Sequence, residues 1–233
     1  MKVEIWSDVV CPWCYIGKRR FEEALAEFPH EVEVTYRSFE LDPSAPVKGG
    51  ETVTASLAQK FGGPARVAAL QEHVREQAAA EGLTFRLDET RHANSVDAHR
   101  VLHLALAEHG AEVQARVKEA LMSAYFEDAR DPSDHDVLRE VAVAAGLDGG
   151  RLDEVLSGEE YADAVRADVA QAAAYGASGV PFFVLEGRYA VSGAQPAEVF
   201  GQVLQQVWET TRPAPVTVVA GATGDVCGPE GCD

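Results

Sequence analysis

Trp6-Ser7-Asp8-Val9-Val10-Cys11-Pro12-Trp13-Cys14-Tyr15-Ile16-Gly17 decides the fold, because two different periodicities meet in it around a pair of cysteines. Upstream, Val3, Ile5 and their neighbours alternate as a short strand ending at Ser7-Asp8. Downstream, Ile16, Phe21, Leu25 and Phe28 recur at near-helical spacing until Pro29 stops the run. Val32, Val34, Tyr36 and Ser38 then lie on one side of a second strand, with Glu33, Thr35 and Arg37 on the other. A strand, a helix of about four turns and a second strand predict a βαβ unit with a parallel pair and a right-handed crossover.

The cysteines sit where strand gives way to helix. A dithiol catalyst needs one thiolate exposed at a helix N-terminus, where free N–H groups and the positive end of the dipole stabilise the anion. It needs a second sulfur within disulfide reach, which two intervening residues on a first helical turn supply. Pro12 suits that turn, since no N–H is required there. Cys11 is therefore the expected nucleophile and Cys14 the thiol that resolves the mixed disulfide. Half of a zinc site is the competing reading of the pair.

From about Glu51 to Tyr175 the chain becomes rich in Ala, Leu, Glu and Arg with helical periodicity. It is broken at Gly62-Gly63-Pro64, Gly82, Gly110, Asp131-Pro132 and Gly149-Gly150, which predicts six or so helices and no strand. Phe182–Leu185 and Tyr189–Val191 flank Glu186-Gly187 as a hairpin. Gly179-Val180-Pro181-Phe182 precedes it, a tight loop suited to a cis X–Pro bond. Pro196 opens a last helix with Val199, Val203, Leu204 and Val207 on one face.

This order of elements resembles the thioredoxin fold of the DsbA-like family, in particular its cytoplasmic FrnE-like branch. The resemblance rests on the stretch quoted first, on Gly179-Val180-Pro181-Phe182-Phe183, and on Tyr189-Ala190-Val191-Ser192-Gly193-Ala194-Gln195, and it spans about Val3 to Trp208. It implies an α/β thioredoxin-like fold with an all-helical domain inserted between the βαβ and ββα halves. The discontinuous thioredoxin-like domain would occupy 1–48 and 178–211, the insert 49–177 and a tail 212–233. It also implies thiol–disulfide oxidoreductase activity through Cys11 and Cys14, with Pro12, Trp13, Val180 and Pro181 meeting the substrate. Strongly oxidising family members have His where this chain has Trp13. Without that imidazolium the Cys11 thiolate gains less stabilisation, and a potential between about −270 and −120 mV is expected. Reductase or isomerase work then stands level with oxidase work. Glutathione-dependent isomerases and kappa-class glutathione transferases share this fold, but they generally carry serine at the first cysteine's position, and Cys11 and Cys14 count against that alternative.

The tail ends in Cys227-Gly228-Pro229-Glu230-Gly231-Cys232, a second cysteine pair behind the linker Pro213 to Val226. A flexible linker of that length reaches roughly 20 Å, so Cys227 and Cys232 are candidates for a second redox pair, for zinc ligands with Cys11 and Cys14 in a non-enzymatic or holdase-like protein, or for no role. His99 and His103 share a helix face, but Arg100 stands where a zinc-hydrolase motif needs glutamate, so surface or interface histidines are expected. Asp8 reads as a strand-end turn residue or a proton relay, with the turn favoured. Thirty-eight acidic against twenty basic residues among 233 give a net charge of −18. That argues against nucleic-acid and anionic-membrane partners. The N-terminus shows no secretory pattern, so a reducing cytoplasmic setting is expected, with protein or small-molecule thiols and disulfides as partners, glutathione as a possible co-substrate, and no bound cofactor or metal.

Overall fold

The computed structural model describes residues 1–48, 50–211, 227–228 and 231–232. Strand β1 (Lys2–Ser7), helix α1 (Pro12–Glu27) and strand β2 (Glu33–Ser38) form the anticipated βαβ unit, and β1 and β2 pair in parallel from Lys2 opposite Glu33 to Ser7 opposite Ser38. The chain leaves the sheet after Ser38 and regains it at Phe182. Between them run α2 (Val53–Phe61), α3 (Pro64–Ala80), α4 (Val96–His109), α5 (Ala111–Phe126), α6 (His135–Ala144), α7 (Gly149–Ser157) and α8 (Ala162–Ala174). Strands β3 (Phe182–Leu185) and β4 (Tyr189–Ser192) and helix α9 (Ala197–Thr211) complete the sheet domain, whose strand order is β2-β1-β3-β4. Two-residue strands β5 (Cys227–Gly228) and β6 (Gly231–Cys232) form a separate antiparallel ladder. No helix among the described residues is long and apolar enough to cross a membrane.

The helical segment contains seven helices among the described residues, in line with the six or so expected, and one expectation for it needs correction. Gly149-Gly150 is not a break: both glycines form the first turn of α7, because the Asp148 carboxylate caps that turn by accepting the Arg151 N–H at 2.8 Å. The chain turns instead at Gly146, whose φ is +109°, and at Gly158, which ends α7. The hairpin follows its sequence. Glu186 and Gly187 both take positive φ, as a type I′ turn requires, and the Arg188 N–H closes on the Leu185 carbonyl at 3.1 Å.

The period-two alternation of β1 sends its side chains to two cores. Val3 and Ile5 join Phe183 and Leu185 against Phe21 and Ala24 of α1 and Phe200, Leu204 and Val207 of α9. Trp6 points the other way, with Phe182 and Val184, onto Ala172 of α8. A third core lies within the helices, centred on Leu102, Val117, Leu121, Leu138 and Leu152.

β2 is an edge strand, and its free backbone groups would be a liability if left bare. Side chains of the helical segment occupy them. The Tyr36 N–H donates to Gln114 Oε1 at 2.9 Å, while Gln114 Nε2 donates back to the Tyr36 carbonyl at 2.9 Å. Two residues on, the Ser38 N–H donates to Asp168 Oδ2 at 2.8 Å. His103 Nε2 lies 3.0 Å from Asp168 and 3.1 Å from Ser38 Oγ, and Trp6 Nε1 donates to the Asp168 carbonyl at 2.8 Å. Gln114 of α5, His103 of α4 and Asp168 of α8 thus dock the helices on the sheet.

Gln114→Leu keeps the volume but leaves the buried Tyr36 N–H and C=O without partners. The expected loss is about 2–6 kcal/mol of folding stability, at 1–3 per unsatisfied group, read from urea unfolding. Gln114→Glu is expected to lose at least as much at neutral pH, because it keeps the acceptor for the Tyr36 N–H but sets a buried carboxylate against the Tyr36 carbonyl.

Candidate active site

The sheet register assembles the site. β1 ends at Ser7, and because β3 runs antiparallel to it, Trp6 faces Phe182 at the start of β3. The loop after β1 and the loop before β3 therefore emerge at the same end of the sheet. The first carries Cys11-Pro12-Trp13-Cys14; the second carries Val180-Pro181, whose peptide bond is cis. Cys11 is the N-cap of α1, with Pro12 at its first position. The Cys11 N–H donates to the Asp8 carbonyl at 3.4 Å, and the Cys14 N–H to the Cys11 carbonyl at 3.0 Å. The Cys11 thiol lies 3.8 Å from the Val180 carbonyl and donates to it. Cys11, Cys14, Val180 and Trp13 belong to one packed cluster with Tyr15, Phe85, Met122, Tyr125 and Phe126.

The expectation of an exposed nucleophile is corrected here. Cys11 is 3% exposed, hardly more than Cys14 at 2%. The cis-proline loop and the half-buried Trp13 cover it, and the Trp13 ring lies 5.8 Å from that of His73 on α3. The fit of the loop depends on Gly17: a Cβ there would stand 3.0 Å from Pro181 Cγ and 3.2 Å from Ala194 Cβ. Arg20, one turn further along α1, ties the segment after β4 to α3 by donating to the Ala194 carbonyl at 2.8 Å, to Glu81 at 2.6 Å and to Gln77 at 2.9 Å.

Beneath the dithiol lies a buried set of ionisable groups. Asp8 makes the turn that its position suggested: its carboxylate accepts the Val10 N–H at 3.3 Å and the Leu41 N–H at 2.7 Å. His99 Nε2 stands 3.4 Å from it. Burial alone would raise the Asp8 carboxyl, but the adjacent His99, the Leu41 amide and the charge of Lys118 outweigh it and hold the group below the ordinary value. The Cys14 thiol is pushed well up, first by burial and then by the adjacent Cys11 sulfur, against the opposing pull of Lys118 and the Asp8 amide. Lys118 is fully buried, and its ammonium donates to the Ser7 carbonyl at 3.4 Å. Burial pulls its pKa down to about 8.

The predicted site residues Cys11, Pro12, Trp13, Cys14, Val180 and Pro181 thus meet at one end of the sheet. Cys227 and Cys232 stand opposite each other in the β5–β6 backbone ladder, and most of the tail lies outside the described residues. His99 and His103 are buried where α4 meets the sheet, not on a surface. Sequence reading missed Gln114 and Lys118. The signal was present: Gln114, Val117, Lys118, Leu121, Met122 and Tyr125 follow one helical stripe, so a Gln and a Lys occupy core positions of α5.

Gly17→Val is expected to overpack the joint with Pro181 at a cost of about 1–3 kcal/mol, read from thermal or urea unfolding. By pushing the loop away it should also speed alkylation of Cys11 by iodoacetamide; alkylation at the wild-type rate would mean that the loop does not cover the sulfur.

Comparison with known proteins agrees with this architecture. The family model of the DSBA-like thioredoxin domain matches residues 2–205. The crystal structure of a "probable DsbA oxidoreductase" from Streptomyces coelicolor superposes with a TM-score of 0.85 at 45% identity, covering 100% of this chain and 98% of that one. The cytosolic disulfide reductase DsbM from Pseudomonas aeruginosa, solved with GSH, shares the fold at a TM-score of 0.64 and 18% identity, over 89% of this chain and 100% of that one. The uncharacterized protein YwbO of Bacillus subtilis is 27% identical over 214 residues, 87% of this chain and 94% of its own. With nearly its whole sheet-and-helix body matched, from the first strand into the last helix, the chain belongs to the DSBA-like thioredoxin domain family of oxidoreductases.

Proposed function

We propose that the chain catalyses thiol–disulfide exchange through Cys11 and Cys14, on protein or small-molecule disulfides. The observation that carries this reading is the placing of Cys11 as the N-cap of α1 against the Val180 carbonyl, with Cys14 one turn deeper. In the reducing direction the Cys11 thiolate attacks one sulfur of the substrate disulfide, and the other substrate sulfur leaves as a thiolate. Cys14 then attacks the Cys11 sulfur of the mixed disulfide, the second substrate thiolate leaves, and the enzyme holds a Cys11–Cys14 disulfide. A thiol reductant such as glutathione returns it to the dithiol, and the same steps reversed oxidise a substrate. The raised Cys14 thiol keeps its proton at rest, which leaves the first attack to Cys11. Pro12, Trp13, Val180 and Pro181 form the contact surface, with an extended substrate backbone lying along the cis-proline loop.

A glutathione-linked reductase in the cytoplasm is the form of this reading that the DsbM likeness favours, since that protein is a cytosolic disulfide reductase solved with GSH. Cys227 and Cys232 are proposed as a second redox pair that exchanges with the first. Directly opposed residues of an antiparallel ladder have Cα atoms about 4.5–5.5 Å apart, within the span a disulfide bridges.

In an insulin-reduction assay Cys11→Ser is expected to abolish turnover, while Cys14→Ser forms mixed disulfides that mass spectrometry detects. Turnover that survives Cys11→Ser removes the proposal. Replacing Cys227 and Cys232 together by Ser should slow the steady state but leave a single turnover of the Cys11–Cys14 pair intact; an unchanged steady-state rate would exclude a relay.

A further inference from the structure

The strand order puts the segment after β2 and the cis-proline loop on opposite sides of the loop that follows β1. On the β2 side lies a cavity of about 300 Å³, at the lower end of the range for small-molecule sites. Its walls are mostly apolar, with Val10, Leu41, Val53, Leu57, Phe61 and Tyr125. Three polar side chains of the same lining form a chain of hydrogen bonds. Ser56 Oγ of α2 is 3.2 Å from His92 Nδ1, and His92 Nε2 is 3.1 Å from Asp42 Oδ2. A carboxylate only accepts, so Nε2 carries the ring proton and the lone pair of Nδ1 faces the Ser56 hydroxyl. Lys60 donates to Asp42 Oδ2 at 2.6 Å, and the Ser44 N–H and hydroxyl donate to Oδ1 at 3.1 and 2.6 Å. These contacts hold the Asp42 carboxyl well below the usual carboxylate range. The backbone beside the imidazole alternates its amides. The N–H groups of His92 and Asn94 donate to the Glu51 and Pro46 carbonyls at 2.9 and 3.0 Å. Those of Ala93 and Ser95 have no acceptor among the described residues, although both residues are buried and line the cavity. Buried amides of this kind call for an acceptor.

We infer that this cavity is a second active site, an esterase with Ser56 as nucleophile, His92 as its base, Asp42 positioning the imidazole, and the Ala93 and Ser95 N–H groups as donors to the oxyanion. The substrate class is a neutral carboxylic ester with a short apolar acyl group. The walls are apolar, and the Asp8 and Asp42 carboxylates on the lining disfavour a free acid. Ser56 Oγ attacks the ester carbonyl carbon, and its proton passes to His92 Nδ1. The carbonyl π pair moves onto oxygen, where the two amides stabilise it. Collapse expels the alkoxide, which takes the proton from Nδ1 and leaves as the alcohol. Water then repeats the sequence on the acylated Ser56, releasing the acid and restoring the hydroxyl. One water is consumed per ester, and no oxidant, reductant or cysteine takes part. The activity is therefore separate from dithiol exchange, although Val10 borders both the cavity and the cluster that holds Cys11.

Two measurements test this site. The unsubstituted chain is treated with a fluorophosphonate, which phosphonylates activated serines, and peptide mass spectrometry is expected to find the adduct on Ser56; this readout needs no variant to fold. Hydrolysis of p-nitrophenyl butyrate is then followed in the full chain with its four cysteines replaced by Ser, since a thiolate would itself cleave an activated ester. In that background Ser56→Ala is expected to lower kcat roughly a hundredfold or more. Asp42→Asn should lower kcat by a similar factor and leave KM unchanged, because an amide donor facing Nε2 favours the wrong tautomer; a merely structural aspartate would not give that split. No adduct on Ser56, hydrolysis no faster than in buffer, or a Ser56→Ala chain as fast as its parent overturns the inference.

Discussion

The constraint on which the structure depends is the open edge of β2. A four-stranded sheet of order β2-β1-β3-β4 has two edges, and the one beside β1 carries backbone groups that must be paired or hydrated. Gln114 satisfies both polar groups of Tyr36, and Asp168 takes the Ser38 N–H. These bonds do more than close an edge. A bidentate side chain on β2 fixes α5 in height and rotation, since Gln114 can reach Tyr36 from one turn only. Once that turn is set, the helical period carries Lys118 one turn on, to the end of β1 beneath the dithiol. Docking and site electrostatics are therefore consequences of one contact.

The charges beneath the dithiol act on stability in opposite directions. The Asp8 carboxyl lies below its ordinary value of 3.8 in the folded chain, so its contribution is present above that pH and is lost as pH falls through the folded value. Lys118 is the reverse case. Its folded value of about 8 lies below the ordinary 10.5, so the unfolded chain holds more protons between the two and stability rises with pH across that window. Below about pH 8 the full penalty applies, on the order of 3 kcal/mol. Against the 5–15 kcal/mol net stability of ordinary domains, that is a large cost for a side chain whose one hydrogen bond is long. Packing does not call for a lysine at this position, since methionine would fill similar volume.

Much of the fold was legible because it is local. The alternation at Val3 and Ile5, the helical spacing from Ile16 to Phe28, and the Glu186-Gly187 turn each record their own conformation within a few residues. Cys11 and Cys14 could be placed on a helix start for the same reason. What could not be read depends on partners far along the chain. Asp148 turns Gly149-Gly150 from an apparent break into a first helical turn, and one cap outweighs two poor helix formers. Cys11 loses its exposure to Val180, which lies 169 residues away. Gln114 and Lys118 look like ordinary helix-surface residues until the stripe they share with Leu121 and Tyr125 is taken as evidence of burial.

The arrangement also separates chemistry from recognition. Cys11, Cys14 and Pro181 are held by β1, α1 and β3, through the register of the sheet and the close approach at Gly17. These parts meet within a few tenths of an ångström of contact distance and tolerate little change. The surroundings of the nucleophile come from elsewhere: Trp13 leans toward His73 of α3, and Phe85 and Phe126 back Tyr15 from the helical segment. Substitutions there can reshape what reaches Cys11 without moving either sulfur. Lys118 breaks that separation, because it belongs to the helical segment and yet lies under the chemistry. A change that shifts α5 along β2 would alter the proton balance of Cys14 together with the walls of the cleft, so the insert is coupled to reactivity through Gln114 and not only through the substrate it admits.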